Sequence, residues 1–163
     1  MKKVIVILVI VVILFILILG GVVGILILRQ KKKDEPIQSI HHFYFHYSVG
    51  YAYLANVNYE INIEDEKYIA SIKLVGVEED DATKVELSDE DLQKFMDILN
   101  KYHIGRWDGF QKSDKMVLDG DSFSLGLRTL ENREVYASGY ESYPKNYGSV
   151  KGELDAYFQA LTE

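Results

Sequence analysis

The chain has 163 residues with 18 Lys and Arg, 25 Asp and Glu, and no cysteine. The missing cysteine excludes disulfides, thiol catalysis and cysteine-ligated zinc or iron–sulfur sites. Charge is divided unevenly: residues 1–33 hold six of the basic residues and no acid, so 34–163 carries 12 basic against 25 acidic residues, and that net of −13 repels nucleic acid and anionic lipid headgroups.

After a short tail at 1–3, the run from Val4 to Leu28, "VIVILVIVVILFILILGGVVGILIL", is 25 residues without a charge. About 20 apolar residues cross a bilayer core, so 4–28 reads as a single-pass transmembrane helix with the lipid bilayer as its partner. A secretory signal would have an apolar run of roughly 7–15 residues ending at a small-residue cleavage site; this run ends in "RQKKK". Gly20 and Gly24 form G-x-x-x-G, a small-residue seam through which two such helices can make a homodimer. Orientation is nearly balanced. Lys2, Lys3 and the α-amine stand against Arg29, Lys31, Lys32 and Lys33, a margin of one charge that leans the C-terminal part towards the cytoplasm.

A basic juxtamembrane linker at 29–36, ending in Pro36, leads to a single acidic domain at 37–163. In "IHHFYFHYSVGYAY", Ile40 to Tyr53, the apolar-leaning odd positions alternate with His42, Tyr44, His46, Ser48 and Gly50, the period of a strand. On a strand, residues four apart stand about 13 Å apart, so His42 and His46 cannot share one metal ion. "ANVNYEINI" alternates in the same way, and "YIASIKLVG" completes a hairpin across the turn "EDEK". "EEDDATKVEL" reads as an acidic solvated connection. Ser88, with Asp91 three residues on, opens a helix whose core stripe is Leu92, Phe95, Met96 and Leu99, ending near Tyr102. A loop over 106–121 leads to two strands, "SFSLGLRTL" and "REVYASGY", joined by a tight turn at Glu131-Asn132. Val150, Leu154, Tyr157, Phe158 and Leu161 mark a closing amphipathic helix. The order β-β-β-α-β-β-α predicts an α+β fold, a mainly antiparallel sheet with two helices on one face.

Catalytic patterns fail on spacing. "GDSFSL" at 120–125 resembles the serine segment of GDSL-type hydrolases, but no histidine follows His103 to activate Ser122, which opens a strand instead of a strand-to-helix turn. Asp114, Asp119 and Asp121 do not fit calcium-loop spacing, and "EEDD" at 78–81 lacks its glycine and terminal Glu. No pattern selects a glycosidase carboxylate pair among the 25 acids, and no glycine loop cradles a phosphate. His103 stands beyond a helix end, where it suits the helix dipole. No catalytic residue, metal or cofactor is expected.

Arg106 to Gly148, with W-D-G-F, V-L-D-G-x-S-F-x-L, A-S-G and Y-P-x-N-Y, resembles a group of Gram-positive envelope proteins of unassigned activity, many of them lipoproteins. This chain has a membrane helix in place of a lipidated cysteine. The resemblance implies an extracytoplasmic domain and matches Trp107, Asp108, Asp119, Gly120, Gly139, Pro144 and Asn146. Glycines beside strands and a lone tryptophan by a helix end ordinarily serve geometry and packing. The functional alternative is a partner or ligand surface at Trp107, Asp108, Asp119, Asp121, Tyr140, Tyr143 and Asn146. The resulting expectation is a membrane-anchored binding or accessory module facing a protein or the cell wall. A cytoplasm-facing scaffold is the second reading, and an enzyme of unrecognised type the third.

Overall fold

The computed structural model describes residues 2–50, 56–74 and 82–163, apart from the side chains of 2–14, 16, 26, 29 and 74. The readings of Tyr51, Tyr53 and Ala55, and of the acids at 78–81, lie outside the described residues. The chain divides into two compact units, Met1–Glu35 and Pro36–Glu163.

The first unit is helix α1, Lys2–Asp34, 33 residues long, which at 1.5 Å per residue is about 50 Å. Helix continues through most of the segment expected as a linker. Lys31, Lys32 and Lys33 occupy its last turn, where cations suit the dipole, and the Glu35 amide donates to Lys31 O at 3.2 Å. Among the described residues no helix is long and apolar enough to cross a membrane. Because most side chains of 4–16 are not among them, the spanning expectation for 4–28 rests on sequence.

The second unit holds β1 (His42–Ser48), β2 (Val57–Glu64), β3 (Lys67–Leu74), β4 (Thr83–Glu86), α2 (Asp89–Lys101), a 3-10 turn at Ile104–Trp107, β5 (Phe110–Ser113), β6 (Ser122–Arg128), β7 (Glu134–Tyr140) and α3 (Tyr147–Ala160). They form a seven-stranded sheet in the order β4-β3-β2-β1-β6-β7-β5. Every neighbouring pair is antiparallel except β5 and β7. The α+β class and the mainly antiparallel sheet agree with the expectation, but the described strands number seven where five were expected. β4 lies in the stretch expected as an acidic loop, and β5 in the loop over 106–121. Each has four residues and sits at a sheet edge, so each is specified by its neighbour more than by its own pattern. Cross-strand ion pairs, Lys67–Glu86 at 2.8 Å and Lys84–Glu64 at 2.9 Å, hold β4.

Alternation decides which face is covered. Phe43, Phe45, Tyr59, Ile61, Leu125, Leu127, Val135 and Ala137 are buried on one face, against Phe95 and Leu99 of α2 and Leu154 and Phe158 of α3. Phe43 meets Phe95 edge-on at 4.7 Å, and Tyr59 stacks on Phe158 at 4.3 Å, so both helices pack on that face. α2 begins at a reciprocal cap: Ser88 Oγ accepts from the Asp91 amide at 3.2 Å, and Asp91 Oδ2 accepts from the Ser88 amide at 3.2 Å. At its other end the Asn100 amide pairs with both backbone groups of Ile37, at 2.7 and 2.9 Å, and clamps the domain's first residues to the helix. The β6–β7 turn passes through Asn132 at φ 58°, a left-handed position asparagine tolerates.

Candidate binding surface

β1, β5 and β7 finish, and β6 begins, at one end of the sheet, because Ser48 pairs with Ser122, Ser122 with Tyr140, and Tyr140 with Ser113. Asp121 organises this end. Its Oδ1 accepts from the Gly50 amide at 2.8 Å, its carbonyl accepts from the Glu141 amide at 2.9 Å and the Tyr143 hydroxyl at 3.3 Å, and its own amide donates to the Glu141 carboxylate. The Gly120 amide donates to the Tyr140 hydroxyl at 2.7 Å, and the Ser48 and Ser122 hydroxyls pair at 2.6 Å. A Cβ at Gly120 would stand 2.2 Å from Glu141 Cγ, so a larger residue there would displace the Glu141 side chain from the Asp121 amide.

Tyr143 stacks on Tyr147 at 4.5 Å. Burial, with Glu141 and Asp121 nearby, pushes its hydroxyl above the ordinary tyrosine range and keeps it a donor. Asp119 is exposed, and its carbonyl lies beside Gly50. Asp119, Asp121, Tyr140 and Tyr143 therefore lie together at this end of the sheet. Trp107 does not join it. At 3% exposure it packs edge-on to Phe123 at 6.1 Å, and its indole N–H donates to Lys145 O at 3.2 Å, so it supports the surface from beneath. Asp108 accepts from the Tyr136 amide at 3.4 Å, four residues back along β7 from Tyr140. Asn146, exposed with φ 66°, turns the chain into α3 without a side-chain cap.

Two features escaped the sequence reading. Met116 and Leu118, on the loop between β5 and β6, are each 90% exposed, and Val49 at the end of β1 is exposed as well. The loop is held by the Asp114 amide donating to Tyr140 O at 2.9 Å and by Asp114 Oδ1 accepting from the Met116 amide at 2.9 Å. The signal was there: Met-Val-Leu is three apolar residues in a row inside "KSDKMVLDGD". The second feature lies under α3. The hydroxyls of Tyr47 and Tyr59 both donate to Asp155 Oδ1 at 2.9 Å, and Lys151 Nζ donates to Oδ2 at 2.7 Å while standing 3.9 Å over the Tyr47 ring. Burial first, and the carboxylate second, push both phenols upward, so they stay protonated donors.

Ser122 Oγ is paired with a serine, and the Asp114 and Asp121 carboxylates are turned onto backbone amides. Among the described residues no three His, Asp or Glu side chains gather as a ligand set. In α1, Gly20 and Gly24 leave open space where a Cβ would stand. No protein-family model matches the chain, no curated protein matches it, and no solved structure matches it.

Proposed function

We propose that the protein is a single-pass membrane protein whose acidic α+β domain works outside the cell as a binding module, docking a protein or wall partner through the loop end of the sheet. The observation that carries the binding reading is the 90% exposure of Met116 and Leu118. Burying either side chain would gain about 1.5–3 kcal/mol, yet the loop is hydrogen-bonded so as to present them to solvent. Apolar groups held out in this way mark contact surfaces. Tyr143 and Val49 are exposed at the same end of the sheet.

The anchor rests on the 25 uncharged residues of Val4–Leu28, all within α1. Gly20 and Gly24 provide the seam for a homodimer within the bilayer. Outward display rests on the envelope-protein resemblance of Arg106–Gly148. The opposite orientation draws on Arg29 and Lys31–Lys33, which would sit on the cytoplasmic side of such a helix. A cysteine placed at exposed Ser149, in a chain with none of its own, decides between the two. Labelling of Ser149→Cys by a membrane-impermeant maleimide in intact cells is expected. Protection in intact cells with labelling after lysis would overturn outward display and leave the cytoplasmic scaffold.

A further inference from the structure

The face of the sheet opposite α2 and α3 is a second surface, adjoining the loop end at Ser48, Ser122 and Tyr140. Strand register arranges it in rows. Asn58, His46, Ser124 and Ser138 form one, Glu60, Tyr44, Gly126 and Tyr136 the next, and Asn62, His42, Arg128 and Glu134 a third. Rows two residues apart along a strand are about 6.6 Å apart.

Antiparallel sheets commonly leave one polar face in water, but two features here go beyond that. The first is Tyr44. Its ring lies across Gly126 on the neighbouring strand, where a Cβ would fall 2.2 Å from Cε1 and 2.5 Å from Cζ. Gly126 has no positive φ, so the strand itself does not need glycine there; the ring does. His42 and His46 flank that ring along β1, at 5.7 and 4.9 Å, and Tyr136, 42% exposed, stands at the end of its row. The second is His46 Nε2, which is shielded from solvent without a hydrogen-bond partner, 3.4 Å from Glu60 Oε1.

Charge narrows the class of ligand. The domain carries a net of −13, but on this face Glu60, Glu64, Glu86 and Glu134 are matched by Lys67, Lys73, Lys84 and Arg128. A polyanion is repelled by the surrounding domain. A protein anchor seats in a well-packed, fully desolvated pocket, whereas these rows present hydroxyl, amide, imidazole and phenol groups to solvent with the charged Glu60, Glu134 and Arg128 among them. A neutral sugar chain suits both halves of the chemistry, C–H faces lying on aromatic rings and hydroxyls exchanging hydrogen bonds with amides, imidazoles and a carboxylate. We propose that this face binds a neutral oligosaccharide, with Tyr44 as the platform under one sugar ring and His42, His46, Asn58, Glu60 and Ser124 as its hydrogen-bonding surround.

The four histidines of the chain give a direct readout. Full-length protein with 13C-labelled histidine, held in phosphocholine nanodiscs and not in a sugar-headed detergent, is titrated with four hexasaccharides. Three are neutral: β-1,4-linked N-acetylglucosamine, β-1,4-linked glucose and α-1,4-linked glucose. The fourth is the anionic hexamer of galacturonic acid. At least one neutral hexamer is expected to move the His42 and His46 signals saturably while His103, beyond α2, stays still. Tyr44→Ala should weaken that binding by about tenfold, and so should Gly126→Ala, which keeps the phenol but drives it off the sheet. An unchanged His103 signal in each variant reports an intact fold. The proposal is overturned if no neutral hexamer moves His42 and His46, if only the anionic one does, or if the folded variants bind as tightly as the parent.

Discussion

The covered and open faces of the sheet are built by alternate residues of the same strands, yet they are held by different physics. On the covered face rings lie on rings, as where Phe158 stacks on Tyr59 and meets Phe95 at 6.0 Å. On the open face one tyrosine lies over one glycine among polar neighbours. Stability is therefore concentrated on the first face, and the second is free to be shaped for contact.

The widest separation between the faces should come from Phe158→Ala, which empties a fully buried site and is expected to cost about 3–5 kcal/mol. Tyr44→Ala, on the open face, should cost under about 1 kcal/mol. Urea unfolding of both variants checks the contrast, and equal losses would erase it.

Asp155→Ala tests where the covered face meets solvent. It leaves the hydroxyls of Tyr47 and Tyr59 without their acceptor and Lys151 without its counter-ion. The expected loss is about 2–3 kcal/mol, since the acceptor is charged and two partly buried donors are stranded. Asp155→Asn keeps an acceptor oxygen and should recover part of that in the same unfolding assay. Full recovery would mean that the charge contributes nothing.

The covered face was legible in the sequence because its signal is repeated. Phe43 and Phe45 alternate, Leu92, Phe95, Met96 and Leu99 recur at helical spacing, and Ser88 with Asp91 marks the helix start. β4 and β5 were not legible. Thr-Lys-Val-Glu has one apolar residue, too few to show a period, and it becomes a strand only by pairing with β3. The loop end was legible in part. Asp119, Asp121, Tyr140 and Tyr143 converge because they end or border neighbouring strands. Trp107 is drawn under them by Phe123 and Tyr147, contacts that only the assembled fold supplies. Met116 and Leu118 sit between acids that make the whole stretch read as solvated.

Ser88→Ala removes the reciprocal cap of α2 and should cost about 1 kcal/mol. The cap also has a pH signature. The Ser88 hydroxyl holds the Asp91 carboxyl below its ordinary value of 3.8, so its contribution is present above that value and lost as pH falls through the lower folded one. A parent-minus-variant difference that persists unchanged to pH 2 would show that the carboxylate takes no part in the cap.

The smallest effect belongs to the open face and separates it from the covered one by pH. Burial lowers the His42 imidazole below its ordinary 6.5. Glu60 on β2 opposes the shift, while Arg128 on β6, His41 just before β1 and His46 on β1 add to it. The unfolded chain therefore takes up this proton first as pH falls. The contribution from His42 is fully present above 6.5 and declines through 6.5 towards the lower folded value, so acidification destabilises. The urea midpoint should fall slightly more between pH 7.5 and 5.5 in the parent than in His42→Gln. Asp91 and Glu153, both held below ordinary values of 3.8 and 4.5 by hydrogen bonds, lose their contributions only at lower pH and do not enter that window. A parent midpoint that rose on acidification relative to the variant would mean that protonated His42 gains more from Glu60 than it loses to burial and its cationic neighbours. The open face would then favour a second cation beside Arg128 and would no longer suit a neutral ligand.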